Sequence, residues 1–337
     1  MQKRALITGI TGQDGSYLAE LLLQKGYKVY GMFRRSSTDP LMRLEHMVKR
    51  IHLIYGDLHD KSSIIKTLEK SKPDEIYNLA AQSDVGVSFQ IPEETWEINF
   101  CGAENLIETA MKMNKEVRIY QASTSEMFGG TRPPQNENSL FNPVSPYAKA
   151  KLATHKNCVV GFRERFGLFI CSGILFNHES PRRGKNFVTR KITYSMAKIA
   201  WGLQDCLELG NVSAVRDWGF AGDYVEAMWL MLQQDKPDDF VVATGKGRTV
   251  LQFVQETARD LGLRIDFEGE GPDLVGFAPN GKVLVKVNPD LYRPSETNKL
   301  IGDSKKAREV LGWKNKTDFY GLVEMMTRAD YDLVKKS

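Results

Sequence analysis

The 337-residue sequence predicts an α/β fold: a doubly wound parallel sheet with a smaller, interleaved C-terminal domain. Three observations predict it. Short apolar runs alternate with longer amphipathic ones through the first half, a glycine-rich turn follows the first run, and the rhythm changes after about residue 176. The composition, 42% hydrophobic and 26% charged, suits a chain that buries a large core.

The strand candidates are residues 5–10, 28–33, 52–55, 75–80, 118–123 and 169–174, each short and rich in β-branched residues or Tyr. Residues 16–25, 61–70 and 92–113 read as the helices between them. The first strand runs into Gly9, Thr11, Gly12, Gln13, Asp14 and Gly15, a G-x-x-G-x-x-G turn opening a helix. Glycines there let the backbone approach a pyrophosphate, and the helix N-terminus offers free N–H groups. This is a Rossmann-type dinucleotide cradle. The second strand ends on Arg34, Arg35 and Ser36, where an NAD-binding chain carries an acidic residue. Arginines suit a 2′-phosphate, so the expected cofactor is NADP. Asp57 and Leu58 close the third strand, beside the adenine. Leu79, Ala80, Ala81, Gln82 and Ser83 close the fourth, small enough for the cofactor to pass closely.

The catalytic candidates follow. Strand five ends on Thr124, Ser125 and Glu126. Ser145 and Pro146 open a helix that sets Tyr147 and Lys151 on one face, four residues apart. A neighbouring ammonium is expected to bring the phenol towards neutrality, making Tyr147 a base for a hydroxyl whose carbon loses hydride. Oxidation alone has no use for Glu126. Dehydration does, because a C4 ketone acidifies C5–H and a carboxylate can remove that proton.

The second half reads differently. Residues 177–191 are polar and basic, 191–203 and 249–261 are helical, and 240–244 return to the sheet. Residues 269–288 look like a Gly-rich loop, and 304–311 and 318–335 are helices. The expected division is a cofactor domain over 1–176 with a returning segment near 215–245. The cap comprises 177–214 and 246–337. The net charge of +4 is too small to argue for nucleic acid. The four cysteines form no ligand spacing, so no metal is expected, and no apolar run approaches a membrane span of about 18 residues. No signal peptide fits before the first strand; the expected location is the cytoplasm.

The glycine loop, Ser-Thr-Ser-Glu and Tyr-x-x-x-Lys together resemble the extended short-chain dehydrogenase/reductases. Longer stretches are similar to the GDP-mannose 4,6-dehydratase family: Gln121-Ala-Ser-Thr-Ser-Glu126, Gly173-Ile-Leu-Phe-Asn-His-Glu-Ser-Pro-Arg-Arg-Gly184, Phe187-Val-Thr-Arg-Lys191, Val215-Arg-Asp-Trp-Gly219 and Tyr292-Arg-Pro294. The resemblance implies oxidation at C4, loss of water across C5–C6, and return of the hydride to C6. It implies cofactor contacts at His178 and Arg183. For the GDP-sugar it implies contacts at Ser83, Asn177, Val188, Lys191, Arg216, Arg293 and Glu296. It also implies a homo-oligomer, dimer or tetramer, with residues 34–37 near the interface. The chain departs from the family's usual residues at Asp84, Glu94, Val144 and Phe220. Three alternatives stay open: the same dehydration on GDP-manno-heptose; a GDP-sugar reductase or epimerase, for which Glu126 would be unnecessary; and a non-catalytic dinucleotide sensor, which could keep Gly9–Gly15 while losing Tyr147, Lys151 or Glu126.

Overall fold

The computed structural model describes residues 2–291 and 299–336. Alternation of strand and helix begins with β1 (Arg4–Thr8), α1 (Gln13–Gln24), β2 (Lys28–Phe33), β3 (His52–Tyr55), α2 (Lys61–Ser71) and β4 (Glu75–Asn78). Two short helices follow, α3 (Val85–Ser88) and α4 (Pro92–Trp96), then α5 (Gly102–Met113) and β5 (Arg118–Thr124). Next come α6 (Pro146–Ala153), α7 (Gly161–Phe166) and β6 (Ile170–Leu175). The expected single helix over 92–113 is there, but one wide π turn, Glu97–Cys101, interrupts it; a second, Thr154–Val160, joins α6 to α7.

Beyond β6 the chain forms β7 (His178–Glu179), α8 (Val188–Ala200), β8 (Leu207–Leu209), β9 (Val215–Asp217), β10 (Gly219–Phe220) and α9 (Ala221–Met231). There follow β11 (Asp239–Val242), β12 (Gly247–Thr249), α10 (Val250–Asp260), β13 (Asp266–Glu268), β14 (Val275–Phe277) and β15 (Val283–Val287). The last helices are α11 (Lys305–Leu311) and α12 (Phe319–Lys335). None of the described helices is long and apolar enough to cross a membrane.

Seven parallel strands make the main sheet, in the order β3-β2-β1-β4-β5-β6-β11. The order reverses between β1 and β4, and a ligand crevice forms at the carboxyl ends of strands at such a point. One face is covered by α1, α9 and α11, with Tyr120, Tyr224 and Trp313 buried in that layer. The other is covered by α2, α5 and α7, with Ile64, Ile107 and Phe162 against Ile119 and Ile170. A separate core gathers α8, α10 and α12 over a four-stranded sheet, β13-β14-β15-β8, around Trp218, Phe253, Phe319 and Met326.

That second sheet corrects the reading of 269–288 as a loop. Leu284, Val285 and Val287 are buried in β15, and Leu274 lies just before β14. Gly269, Gly271 and Gly281 have positive φ and supply the turns that separate β13, β14 and β15. Their density imitated a loop because short strands lie close to the turns that join them: Gly269 and Gly271 lie between β13 and β14, and Gly281 between β14 and β15. The helix expected over 191–203 also starts earlier, at Val188.

Candidate active site

The glycine turn is built for close approach. Gly9 sits at φ +67°, and a Cβ there would lie 2.9 Å from the Ala80 amide nitrogen. At Gly15 a Cβ would meet the Gly9 carbonyl oxygen at 2.4 Å, so only glycine lets α1 start this close to β1. Gly12 caps α1 without a side-chain hydrogen bond, which leaves the first helical amides for a ligand. The Thr8 hydroxyl accepts from the amides of Leu79 (3.1 Å) and Ala80 (3.2 Å) and donates to Asn78 Oδ1 at 2.6 Å. Asn99, in the π turn, holds the Gln82 amide and carbonyl, both at 2.9 Å. The loop from Leu79 to Ser83, through Ala81, is thus pinned at both ends.

At the other end of the crevice, Arg34, Arg35 and Ser36 are exposed beyond β2, and the Ser36 hydroxyl lies 3.1 Å from that of Thr38. Asp57 accepts the His59 amide at 3.0 Å. Leu58 is buried beside Gly102, and both line a hollow of about 220 Å³ with His59, Glu97, Cys101 and Asn105. Sequence reasoning named Leu58 alone of that lining; Glu97, Cys101, Gly102 and Asn105 lie on and after a π turn that the pattern did not mark, and His59 follows Leu58 beyond the strand end.

The segment bearing His178 and Arg183 is stitched to α1. Gln13 donates to the His178 carbonyl (3.0 Å) and accepts from the Ser180 hydroxyl (2.8 Å). His178 bonds the Phe176 carbonyl (2.8 Å) through one ring nitrogen and Asp14 (2.7 Å) through the other. Burial works against its charge, but Asp14 outweighs burial and raises the His178 pKa; the reciprocal pull lowers that of Asp14. Both ring nitrogens are therefore held inside the protein. Arg183 pairs with Glu179 at 3.2 Å and stacks 3.7 Å from the Phe187 ring centroid.

Arg43 was missed by the sequence reading. Its guanidinium donates to the Arg182 carbonyl (2.7 Å) and the Thr11 carbonyl (3.2 Å). Burial, then the charges of Arg190, Arg182 and Arg183, lower its pKa. Arg182, Arg183 and Arg190 pair with Glu20, Glu179 and Asp330, and Arg43 brings a guanidinium to the uncapped glycine turn, where it suits an anion. The missed signal was a basic residue between the Asp39-Pro40 turn and β3.

The expected catalytic residues gather around Tyr147. Ser145 caps α6 by accepting the Ala148 amide (3.1 Å), and Pro146 takes the first helical position, as expected. Tyr147 is 8% exposed, and burial pushes its phenol up to about 12. A hydrogen bond from Thr124 and the charge of Arg183 pull the other way, while Glu126 and Asp14 add to the rise. The expectation of a near-neutral phenol is thus corrected: in the protein alone, burial wins. Lys151 Nζ lies 6.0 Å from the Tyr147 ring centroid and donates to the Ala122 carbonyl at 2.9 Å, and burial brings its pKa down to about 8. Thr124 ends β5 and accepts the Glu126 amide at 3.2 Å, so one hydroxyl fixes the turn that carries Glu126.

Across the crevice, Asn177 Oδ1 is buried with no hydrogen-bond partner among the described residues, and Val188 opens α8. Lys191 is half-buried, its pKa lowered by burial. Arg216 lies opposite Arg248 on the β9–β12 pair. Arg293 and Glu296 fall outside the described residues.

Comparison with known proteins decides the family. The GDP-mannose 4,6 dehydratase family matches residues 6–326. The chain belongs to this family. GDP-mannose 4,6 dehydratase 1 of Arabidopsis thaliana is 51% identical over 347 residues, covering 99% of this chain and 91% of the relative. The GDP-mannose 4,6-dehydratase of Yersinia enterocolitica is 50% identical, covering 92% and 89%. Among solved structures, a UDP-glucose 4-epimerase of Thermotoga maritima superposes with a TM-score of 0.81 at 23% identity, covering 99% of each chain. A Thermus thermophilus UDP-glucose 4-epimerase in complex with NAD gives 0.81 at 24%, covering 97% and 98%. These likenesses carry the fold, which this dehydratase family member shares with epimerases.

Proposed function

We propose that the chain is a sugar-nucleotide dehydratase that converts GDP-D-mannose to GDP-4-keto-6-deoxy-D-mannose, with NADP as a cofactor that is regenerated in each turnover. The observation that carries this reading is the placement of Glu126: its charge bears directly on Tyr147, and the hydroxyl that bonds Tyr147 also fixes its turn. A simple dehydrogenase needs Tyr147 and Lys151 but no carboxylate there.

A bound nicotinamide would supply the reversible hydride acceptor for the exchange between C4 and C6. The protein's residues do the rest. Tyr147 takes the C4 hydroxyl proton, steadied by the Thr124 hydroxyl, with Lys151 Nζ 6.0 Å from its ring centroid. Glu126 removes the proton from C5, acidified by the C4 ketone, as water leaves C6. The uncapped start of α1, with Gly9, Gly12 and Gly15, receives the cofactor diphosphate, and Arg43 and Arg183 balance its charge. Arg34, Arg35 and Ser36 take the 2′-phosphate, which is what favours NADP over NAD. The hollow beside Leu58 suits the adenine. His178 serves indirectly, by fixing Asp14 and Gln13 at the turn. Asn177, Val188, Lys191 and Arg216, with Arg293 and Glu296, hold the GDP-sugar, and Ser83 lies between the two ligands. We also infer a cytoplasmic homo-oligomer, dimer or tetramer, with the exposed loop at 34–37 near its interface.

The deciding experiment is turnover of GDP-mannose with NADP in D2O. The reading requires a 4-keto-6-deoxy sugar with deuterium at C5 and no build-up of reduced cofactor. Stoichiometric reduced cofactor with a plain 4-keto sugar would refute it.

A further inference from the structure

Arg183 reaches the cofactor side of the crevice on a short non-helical segment, so something must aim it. From α1, residues 178–182 are held by Gln13, Ser16 and Glu20, and Arg43 bonds the Arg182 carbonyl. From α8, Thr189 bonds Glu179, the partner of Arg183, at 2.7 Å, and Arg190 holds the main chain beyond it. Arg190 lies in the first turn of α8, between Val188 and Lys191, and is 8% exposed. Its Nε donates to both Asp330 carboxylate oxygens at 2.7 Å, and a terminal nitrogen reaches Asp330 at 2.6 Å. Its other terminal nitrogen donates to the carbonyls of Pro181 and Arg183, the latter at 3.0 Å. Asp330, on α12, is fully buried and also accepts the Thr193 hydroxyl at 2.6 Å.

A buried ion pair gains little stability over apolar packing of the same volume, so stability alone does not account for this one. Its geometry does. A rigid guanidinium can face a carboxylate with one edge and two carbonyls with another; an ammonium on a flexible stem cannot. We propose that Arg190 and Asp330 are positioning residues that clamp the main chain at 181–183 from the cap side and so aim the Arg183 guanidinium at the cofactor. This rests on the assignment of Arg183 to the cofactor made above. Neither clamp residue touches a reacting group, and through Arg190 the α12 residue Asp330 is tied to the main chain at 181–183.

The test is binding, not turnover. NADPH affinity is measured by fluorescence titration and GDP affinity by calorimetry, for the parent, Arg190→Lys, Arg183→Gln and the double variant. Arg190→Lys keeps the charge against Asp330 but loses the fork. It is expected to weaken NADPH binding about tenfold, the order of one misplaced charge-assisted hydrogen bond, with GDP binding changed by less than about twofold. The double variant should bind NADPH no more weakly than Arg183→Gln alone, because both remove one interaction. Unchanged NADPH affinity in Arg190→Lys, or equal loss of both ligands, overturns the proposal. If Arg183→Gln leaves NADPH affinity intact, the cofactor assignment falls and the proposal with it. Asp330→Asn strands a buried cation and is the variant most exposed to misfolding. Thr193→Val loosens the same carboxylate more gently and should move NADPH affinity the same way.

Discussion

Replacing Thr124 by Val tests the centre of the mechanism. The substitution is nearly isosteric and removes one hydroxyl. That hydroxyl hydrogen-bonds Tyr147 and lowers its pKa against burial, which has pushed the phenol up to about 12. At pH 7 a phenol of that pKa is ionised to roughly one part in 100,000, so the protein alone cannot keep a ready phenolate. A hydrogen bond to a charged group is worth about 1.5–3 kcal/mol, or roughly one to two pH units. Losing it raises the pKa further. A base with a raised pKa is protonated over more of the pH range, so the acid limb of kcat/KM should move to higher pH by about one to two units. Below that limb the rate should fall about ten- to a hundredfold. The same hydroxyl accepts the Glu126 amide, so a cost of about 1 kcal/mol in stability should appear in denaturant melts. Thr124→Ser restores the hydroxyl and should restore the limb. An unmoved acid limb in Thr124→Val, with the rate intact, would show that Tyr147 does not act through this hydroxyl.

Three further outcomes follow from the geometry. Glu126→Gln should still oxidise C4 but stop before elimination, so reduced-nicotinamide absorbance should accumulate towards one equivalent per site; normal product release would remove Glu126 from the mechanism. Gly9→Ala forces a side chain into a left-handed backbone at φ +67° against the Ala80 main chain, a backbone cost of ~1–2 kcal/mol before the clash. Its NADPH titration should flatten, and a parent-like curve would mean that the turn does not seat the cofactor. The Asp14–His178 pair should give pH-dependent stability. The raised His178 pKa contributes below the ordinary value of 6.5 and is lost as pH rises through the folded value; the lowered Asp14 pKa contributes above 3.8 and is lost as pH falls through its folded value. His178→Gln should therefore lose most stability, by urea midpoint, between about pH 4 and 6.5, and least well above it. A loss that is uniform with pH would argue against the ion pair.

The sheet was legible because its strands are short buried runs bounded by Gly, Asp and Asn, and because each ends on residues that suit a ligand. The nearness of Glu126 to Tyr147 was legible from chemistry, since a carboxylate there has no use in oxidation alone; its role rests on the proposal above. What escaped was set by tertiary contact. Arg43 has no motif, and its role depends on where the chain at 181–183 returns. Asn99 fixes the cofactor loop from a π turn, which no period-based reading separates from an ordinary helix. The phenol's pKa was misjudged because the spacing of Tyr147 and Lys151 reports their proximity but not their burial, and burial decides both values. The strands β14 and β15 were hidden by the glycines that make their turns.

The seventh place in the parallel sheet has a consequence for how the chain is made. Strand β6 pairs on its outer side with β11, residues Asp239–Val242, and α8, β8 and α9 intervene between them. During synthesis the first six strands emerge well before their seventh. Until residue 242 has left the ribosome, β6 (Ile-Cys-Ser-Gly-Ile-Leu) is an apolar edge with unpaired backbone groups, the kind of edge that recruits other chains. A fragment ending near residue 176 would carry the glycine turn, Tyr147 and Lys151, and would still present that open edge, together with the sheet face that α9 and α11 cover.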